Sequence, residues 1–169
     1  MKQFKTLLIA VALIFGASAF ANAQSKVAHI NSQELIEQMP AYTSAMAQLE
    51  KLKTTYDADI KDMLTEAQST MQRYETEAPT KTDEENQRRA LELQQTQQSI
   101  AKYRQTAMQQ LQKKEVELLK PVYEKAREAI QKVAREKGYE YVLNSTTGMG
   151  VILADGYNLM PDVKAELGI

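Results

Sequence analysis

Cysteine and tryptophan are absent from the 169-residue chain, and phenylalanine occurs only three times. Without cysteine the chain has no disulfide framework, no thiolate metal site and no cysteine for a lipid anchor at a cleavage site. The lack of tryptophan and the shortage of phenylalanine leave little material for an aromatic-lined small-molecule pocket. The composition therefore argues against a disulfide-stabilised fold and against an aromatic-lined cofactor site.

The N-terminus has the pattern of an export signal. Lys2 and Lys5 precede an apolar run from Leu7 to Phe15, and Ala21-Asn22-Ala23 matches the small-x-small pattern of a cleavage site. The alternative is an N-terminal membrane anchor, but the run is short for a spanning helix of about 20 residues. We therefore predict that residues 1–23 are a cleaved signal peptide.

The charge balance of the mature chain is slightly acidic. Cleavage takes Lys2 and Lys5 from the 21 basic residues and leaves all 22 acidic residues, which gives a net charge of −3. This charge argues against nucleic acid or a strongly anionic membrane surface as the main partner.

The segment from Ala41 to Lys137 predicts two long helices. It is rich in Gln, Glu, Lys, Ala, Leu and Met and contains no glycine, and its one clear interruption is Ala78-Pro79-Thr80-Lys81-Thr82. We predict an antiparallel helical hairpin, an arm over residues 41–121 with its tip near 78–82. The apolar residues of the first helix step by three or four: Leu49, Leu52, Tyr56, Ile60, Met63, Ala67, Met71 and Tyr74.

The spacing within the two helices repeats every eleven residues. In the second helix Ile100, Leu111, Val122 and Val133 are each eleven apart, which predicts a nearly straight or slightly right-handed pair. Thr82 with Glu85 has the pattern of a capping box for the second helix.

Two prolines lie at equal distances from the tip. Pro40 is 39 residues before Pro79, and Pro121 is 39 residues after Thr82. Since proline interrupts helical hydrogen bonding, we predict a structural border and hinge at Pro40 and Pro121.

The remaining residues, 24–40 and 122–169, predict a small β-rich body. Lys26–Ile30, Tyr139–Asn144 and Val151–Ala154 have strand character, with a turn between the last two, and Pro161–Leu167 predicts a short closing helix. Gly138 has the position of a helix C-cap. The fold class is therefore α+β and mainly α. So small a sheet has exposed edges, and we predict oligomerisation through this body.

No residue pattern indicates catalysis. His29, the sole histidine, lacks companion ligands and is predicted to be a structural strand residue. Gly148-Met149-Gly150 lacks the rest of a phosphate-binding loop and is predicted to be a turn. Catalytic, metal and cofactor sites are all predicted to be absent.

The ordered features resemble the Skp/OmpH family of periplasmic chaperones over about residues 26 to 169. They include Val27–Ser32 running into a short helix with Pro40-Ala41-Tyr42, the long hairpin, Lys120-Pro121-Val122, and Gly138-Tyr139 before the strand Tyr141–Leu143. The resemblance implies a homotrimer with a shared β-barrel body and three arms around a cavity. It further implies a periplasmic holdase that keeps unfolded outer-membrane proteins in that cavity without ATP.

The resemblance suggests roles for two groups of residues. We predict that the client-facing residues flank the helix pairing, and that exposed residues of the body meet other copies. The client-facing group is Tyr42, Met46, Leu64 and Met108. The body and trimer-interface group is Val27, Ile30, Tyr139, Tyr141, Leu143, Val151 and Leu153.

One family feature is not carried over to this chain. Near the tip, five acidic residues between Glu75 and Glu85 outnumber Lys81, Arg88 and Arg89, so a basic tip for membrane or lipopolysaccharide contact is not predicted. A second interpretation of the whole chain is a structural coiled-coil protein of the envelope that bridges folded partners. An exported enzyme is a third, but it needs a pocket of convergent polar groups that the sequence does not indicate.

Overall fold

The computed structural model of the protein describes residues 26–169, so the predicted signal peptide lies outside the described residues. The fold is mostly helical with a small sheet, as predicted. Among residues 26–169, no helix is both long and apolar enough to cross a membrane. In chain order the elements are β1 (Val27–Ile30), α1 (Ser32–Glu37), α2 (Pro40–Glu77), a 3-10 turn (Ala78–Thr80), α3 (Asp83–Glu136), β2 (Tyr141–Asn144), β3 (Tyr157–Asn158) and α4 (Met160–Leu167).

The described residues fall into two compact units. The sheet unit comprises residues 26–32 and 128–168, and the hairpin unit comprises Gln33–Arg127.

The hairpin unit pairs α2 with α3, as the sequence predicts. Pro40 occupies the first turn of α2, where its fixed φ suits a helix start and its missing N–H costs nothing. The chain reverses through the 3-10 turn that contains Pro79. Thr82 then caps α3, because its Oγ1 accepts a hydrogen bond of 3.3 Å from the Glu85 N–H. The turn between the two helices therefore lies within residues 78–82.

Helix α3 runs for 54 residues and passes through Pro121 without ending. A proline at this depth removes one backbone hydrogen bond from the helix. Its role as a hinge, together with Pro40, remains a prediction.

The paired helices meet along a line of buried and half-buried positions, which we call the seam. Tyr56 and Tyr103 meet edge to face across it, with ring centroids 6.2 Å apart. On α2 the seam is Ala45, Leu49, Leu52, Tyr56, Ile60, Met63, Ala67, Thr70 and Tyr74. On α3 it is Arg89, Leu93, Thr96, Ile100, Tyr103, Ala107, Leu111, Lys114 and Leu118.

The predicted eleven-residue spacing holds on α2 only as far as Ala67. Met71 is one of the apolar steps found in the sequence, but its side chain is 40% exposed and lies outside the seam. Thr70 takes the place instead, and it lines a small groove with Ala67 and Leu93. Towards the tip the steps therefore alternate between three and four, the spacing typical of an ordinary coiled coil.

The sheet unit contains three parallel strands in the order β2-β1-β3. The predicted strand at Val151–Ala154 is wrong, because these residues form no strand in the chain. The third strand is Tyr157–Asn158, and the Leu159 N–H donates a 2.9 Å hydrogen bond to the His29 carbonyl at its end. Pairing of parallel strands depends on long-range contacts, so local alternation alone could not identify β3.

The core of the sheet unit lies on one side of the sheet. Ile30 is only 2% exposed and belongs to this core, so within the predicted body and trimer-interface group it is a residue of the body. Gly138 ends α3 with φ of 73°, which confirms the predicted C-cap. The buried residues of this unit are Ala28, Ile30, Ala129, Val133, Ala134, Leu159 and Val163.

Candidate functional site

The hairpin unit exposes several large apolar side chains. Surface leucines and methionines are unremarkable singly, but a group on one surface indicates a binding role. The exposed members are Met46, Leu64, Met71, Leu91, Met108, Val116 and Tyr123.

Helix geometry assigns most of these residues to one face of the hairpin. Each step along an α-helix turns about 100° around its axis. Because α2 and α3 are both right-handed, run in opposite directions and face each other, that step takes both helices toward the same face. Residues that directly follow a seam position therefore share one face, and residues that directly precede a seam position share the other.

The face formed by the following residues is here called the apolar face. Met46, Leu64, Met71 and Met108 directly follow Ala45, Met63, Thr70 and Ala107, so all four belong to it. A shallow groove of about 230 Å³ confirms that both helices contribute to this face. The groove is lined by Met46, Leu49, Glu50, Lys53, Leu111 and Glu115.

The opposite face, here called the polar face, carries no large apolar residue between Ser44 and Glu117. Two contacts show that both helices contribute to it. The Tyr103 hydroxyl donates to Asp59 at 2.5 Å, and the Tyr74 hydroxyl donates to Glu92 at 2.9 Å. On α2 its residues are Ser44, Gln48, Lys51, Thr55, Asp59, Asp62, Glu66, Ser69 and Arg73, and on α3 they are Arg88, Glu92, Gln95, Ser99, Lys102, Thr106, Gln110, Lys113 and Glu117.

A second groove continues the exposed apolar surface along α3. It has a volume of about 510 Å³ and includes Val116, Leu119 and Tyr123. Glu115 lines both grooves, so the two are adjacent. Sequence reasoning missed Val116, Tyr123 and Met71.

The four residues predicted to face a client differ in their positions. Met46, Leu64 and Met108 are exposed on the apolar face, and Met108 is 67% exposed. Tyr42 is half-buried, three residues before Ala45 and in line with the seam. A residue of the apolar face can be recognised by its position, because it is a large apolar residue that directly follows a seam residue.

The tip of the hairpin is stabilised by the side chain of Arg89, a seam residue. Arg89, with its side chain 12% exposed, donates to Glu77 at 2.7 Å and to Glu85 at 3.1 Å. Its guanidinium also lies 4.5 Å from the centroid of the Tyr74 ring. The Arg89 hydrogen bond lowers the pKa of Glu77, and hydrogen bonds from Arg88 and then Arg89 lower the pKa of Glu85.

We expect the Arg89→Ala substitution to loosen the tip and to weaken its pH dependence. The pKa values of Glu77 and Glu85 are lower in the folded state than in the unfolded state. The two ionised carboxylates therefore stabilise the tip at any pH above their unfolded-state pKa values. This stabilisation is lost as the pH falls through their folded-state pKa values. Hydrogen-exchange protection at Ala78–Thr80 should therefore decrease on acidification to about pH 3 in the wild type, and decrease less in the variant. Arg104→Ala, an exposed control on α3, should behave as the wild type, and equal behaviour of all three would contradict the assignment.

The sheet unit has its own exposed apolar residues. Val27 pairs in register with Tyr141, and both are exposed, as is Leu143 on β2. Tyr139 is half-buried and stacks on Tyr157, with ring centroids 5.4 Å apart. In the segment after β2, Val151 is half-buried, Ile152 is fully exposed and Leu153 is 74% exposed.

His29 connects the two ends of the segment that carries these residues. Its Nδ1 lies 3.1 Å from Ser145 Oγ, and its Nε2 lies 3.2 Å from the Gly156 carbonyl oxygen. His29 is thus a structural residue of β1, as predicted. Among residues 26–169, no group of three or more histidine and acidic side chains is placed to hold a metal ion.

Comparison with known proteins adds an evolutionary relationship to this geometry. The family model described as "Outer membrane protein (OmpH-like)" matches residues 26–167. The chain belongs to the OmpH-like family. The chaperone proteins Skp of Photorhabdus laumondii and of Photorhabdus luminescens are each 27% identical over 135 residues, which cover 80% of this chain and 81% of the relative. This relationship supports a chaperone role, and the family is one of chaperones and not of enzymes.

The fold comparison agrees with the family. The crystal structure of an OmpH-like outer membrane chaperone from Caulobacter crescentus superposes with a TM-score of 0.75 at 18% identity. The match covers 87% of this chain and 86% of the other. The OmpH-like fold is therefore shared over most of the chain.

Proposed function

We propose that the chain is an ATP-independent holdase chaperone of the periplasm that encloses unfolded outer-membrane β-barrel proteins between the hairpins of a homotrimer. The observation that carries the proposal is the contrast between the two faces of the hairpin. One face exposes Met46, Leu64, Met71 and Met108, and the other is polar throughout. None of these four residues occupies the seam, so their exposure has no part in the pairing of α2 with α3.

The chemistry of the apolar face suits an unfolded client. Along α2 its apolar residues are separated by charged ones, such as Glu50, Lys53 and Asp57. Each contact with a client is therefore small, and binding depends on the sum of many. Methionine side chains are flexible and adapt to varied apolar partners. Enclosure by several hairpins raises the effective concentration of such weak sites without a nucleotide-driven step.

The homotrimer accounts for the exposed surface of the sheet unit. Val27, Tyr141 and Leu143 lie on neighbouring strands, and Ile152 and Leu153 are exposed in the following segment. The strands at the sheet edges have unpaired backbone groups, which other copies can pair and cover.

Export is supported by the signal pattern of residues 1–23.

The function is tested by capture of a denatured β-barrel protein. We expect the triple variant Met46→Ser, Leu64→Ser, Met108→Ser to need at least about tenfold more chaperone to suppress client aggregation. Burial of each side chain against a client is worth about 1.5–3 kcal/mol, and 1.4 kcal/mol is a factor of ten. Light scattering on dilution of the client from denaturant measures the effect.

A matched control removes polar residues from the same helices. The variant Gln48→Ser, Gln95→Ser, Gln110→Ser, all exposed positions of the polar face, should capture the client as the wild type does. If the triple serine variant is still trimeric and captures the client as the wild type does, these three residues do not bind the client. Binding of folded proteins at fixed stoichiometry, without capture of unfolded ones, would instead support a bridging role in the envelope.

A further inference from the structure

Within the hairpin unit, every exposed methionine lies on the apolar face. The chain has no cysteine and eight methionines, so thioethers are its only sulfur groups. In the hairpin unit Met46, Met71 and Met108 are exposed, whereas Met39 is buried and Met63 is half-buried in the seam. No polar-face position between Ser44 and Glu117 is a methionine. Three of the four large apolar residues of the apolar face are therefore open to oxidation.

Oxidation changes the property on which this face depends. The thioether sulfur attacks a peroxide oxygen, so that an S–O bond forms and the O–O bond breaks. With hydrogen peroxide the proton of the transferred oxygen passes to the departing hydroxide, which leaves as water. The sulfur loses two electrons, and the peroxide is reduced. The resulting sulfoxide is polar and accepts hydrogen bonds, and the reaction is reversible by enzymatic reduction.

We propose that Met46, Met71 and Met108 are peroxide-sensitive modification sites, whose oxidation to sulfoxides turns off the binding of unfolded chains by the apolar face. The inference rests on the proposed function. Most seam positions are Leu, Ile, Tyr, Ala or Thr, and the seam methionine Met63 is half-buried. Oxidation of the exposed methionines therefore changes the binding surface and leaves the pairing of α2 with α3 intact.

The test compares oxidisable and non-oxidisable forms of the same surface. The variant Met46→Leu, Met71→Leu, Met108→Leu keeps three apolar side chains of similar volume but removes the thioethers. Met149→Leu is the matched control, because Met149 is 65% exposed but lies in the sheet unit. Each protein is treated with hydrogen peroxide until peptide mapping finds one added oxygen on the exposed methionines. Client capture, binding of a fluorescent apolar-surface dye and thermal unfolding are then measured.

We expect oxidised wild type and oxidised Met149→Leu to need about tenfold more chaperone for capture, with reduced dye fluorescence and an unchanged hairpin melting temperature. The triple leucine variant should show the same capture and dye binding after peroxide as it shows before peroxide. Full capture by the oxidised wild type, or equal losses in the triple leucine variant, would overturn the inference.

The dye separates failure of this inference from failure of the proposed function. If the untreated wild type captures no client, the proposed function is wrong. There is then no client binding that oxidation could turn off, so the proposed oxidation switch is overturned as well. A dye loss confined to the proteins with oxidisable Met46, Met71 and Met108 would still establish the three modification sites. If capture is present but insensitive to peroxide, only the oxidation switch is overturned.

Discussion

Replacing Leu159 with alanine is expected to lower the free energy of unfolding of the sheet unit by about 2–5 kcal/mol. Leu159 has no solvent exposure, and its N–H donates to the His29 carbonyl at the end of β3. The substitution leaves a cavity among buried neighbours, and a sheet of three short strands has little other core to compensate. Hydrogen exchange of the β1 amides at increasing urea concentration measures the effect.

The control for this prediction is an exposed residue of similar size in the same unit. Met149→Ala removes a side chain that is 65% exposed, and should change the free energy of unfolding by less than about 0.5 kcal/mol. Far-ultraviolet circular dichroism, dominated by α2 and α3, reports on the hairpin unit in the same titration. Equal stability of the two variants would show that Leu159 is not a central core residue.

The helices could be predicted because their signals are local. Pro79, Thr82 and Gly138 each favour a particular helix start or stop by their own backbone chemistry, and the seam repeats many times along α2 and α3. A repeated pattern is readable even where one position deviates, as Met71 does. The sheet offered no such repetition. A strand as short as Tyr157–Asn158 is defined by its partner β1, more than a hundred residues earlier in the chain.

The candidate surface could be predicted only in part, for a geometric reason. Met46, Leu64 and Met108 were recognised as flanking the helix pairing, but the distinction between the two faces depends on the exact seam. Once Thr70 and not Met71 occupies the seam, Met71 joins the apolar face. Ile30 and Tyr141 illustrate the same limit in the sheet unit. Both have strand character, but which side of the sheet is buried depends on what packs against it.

The second large effect concerns the exposed segment after β2. We expect the double variant Ile152→Asp, Leu153→Asp to convert the proposed homotrimer into monomers at micromolar concentration. Ile152 is fully exposed in the single chain, and Leu153 is 74% exposed. Although Val151–Ala154 has strand character, it pairs with no strand of its own chain. An apolar segment with unpaired backbone is suited to adding to the sheet edge of another copy. Two aspartates there would place charges in a desolvated interface, a change that costs several kcal/mol.

The role of Val151–Ala154 is tested by measuring the molar mass of each protein in solution, by light scattering after size-exclusion chromatography. Leu91→Asp is the control, because Leu91 is 59% exposed in the hairpin unit and outside the proposed interface. It should remain trimeric, since its charge is added to a solvated helix surface. If both variants remain trimeric, the interface lies elsewhere; if the wild type is itself a monomer, the homotrimer is wrong. Dissociation of the double variant alone, with loss of client capture, would link the segment to enclosure, because a single hairpin cannot surround an unfolded chain.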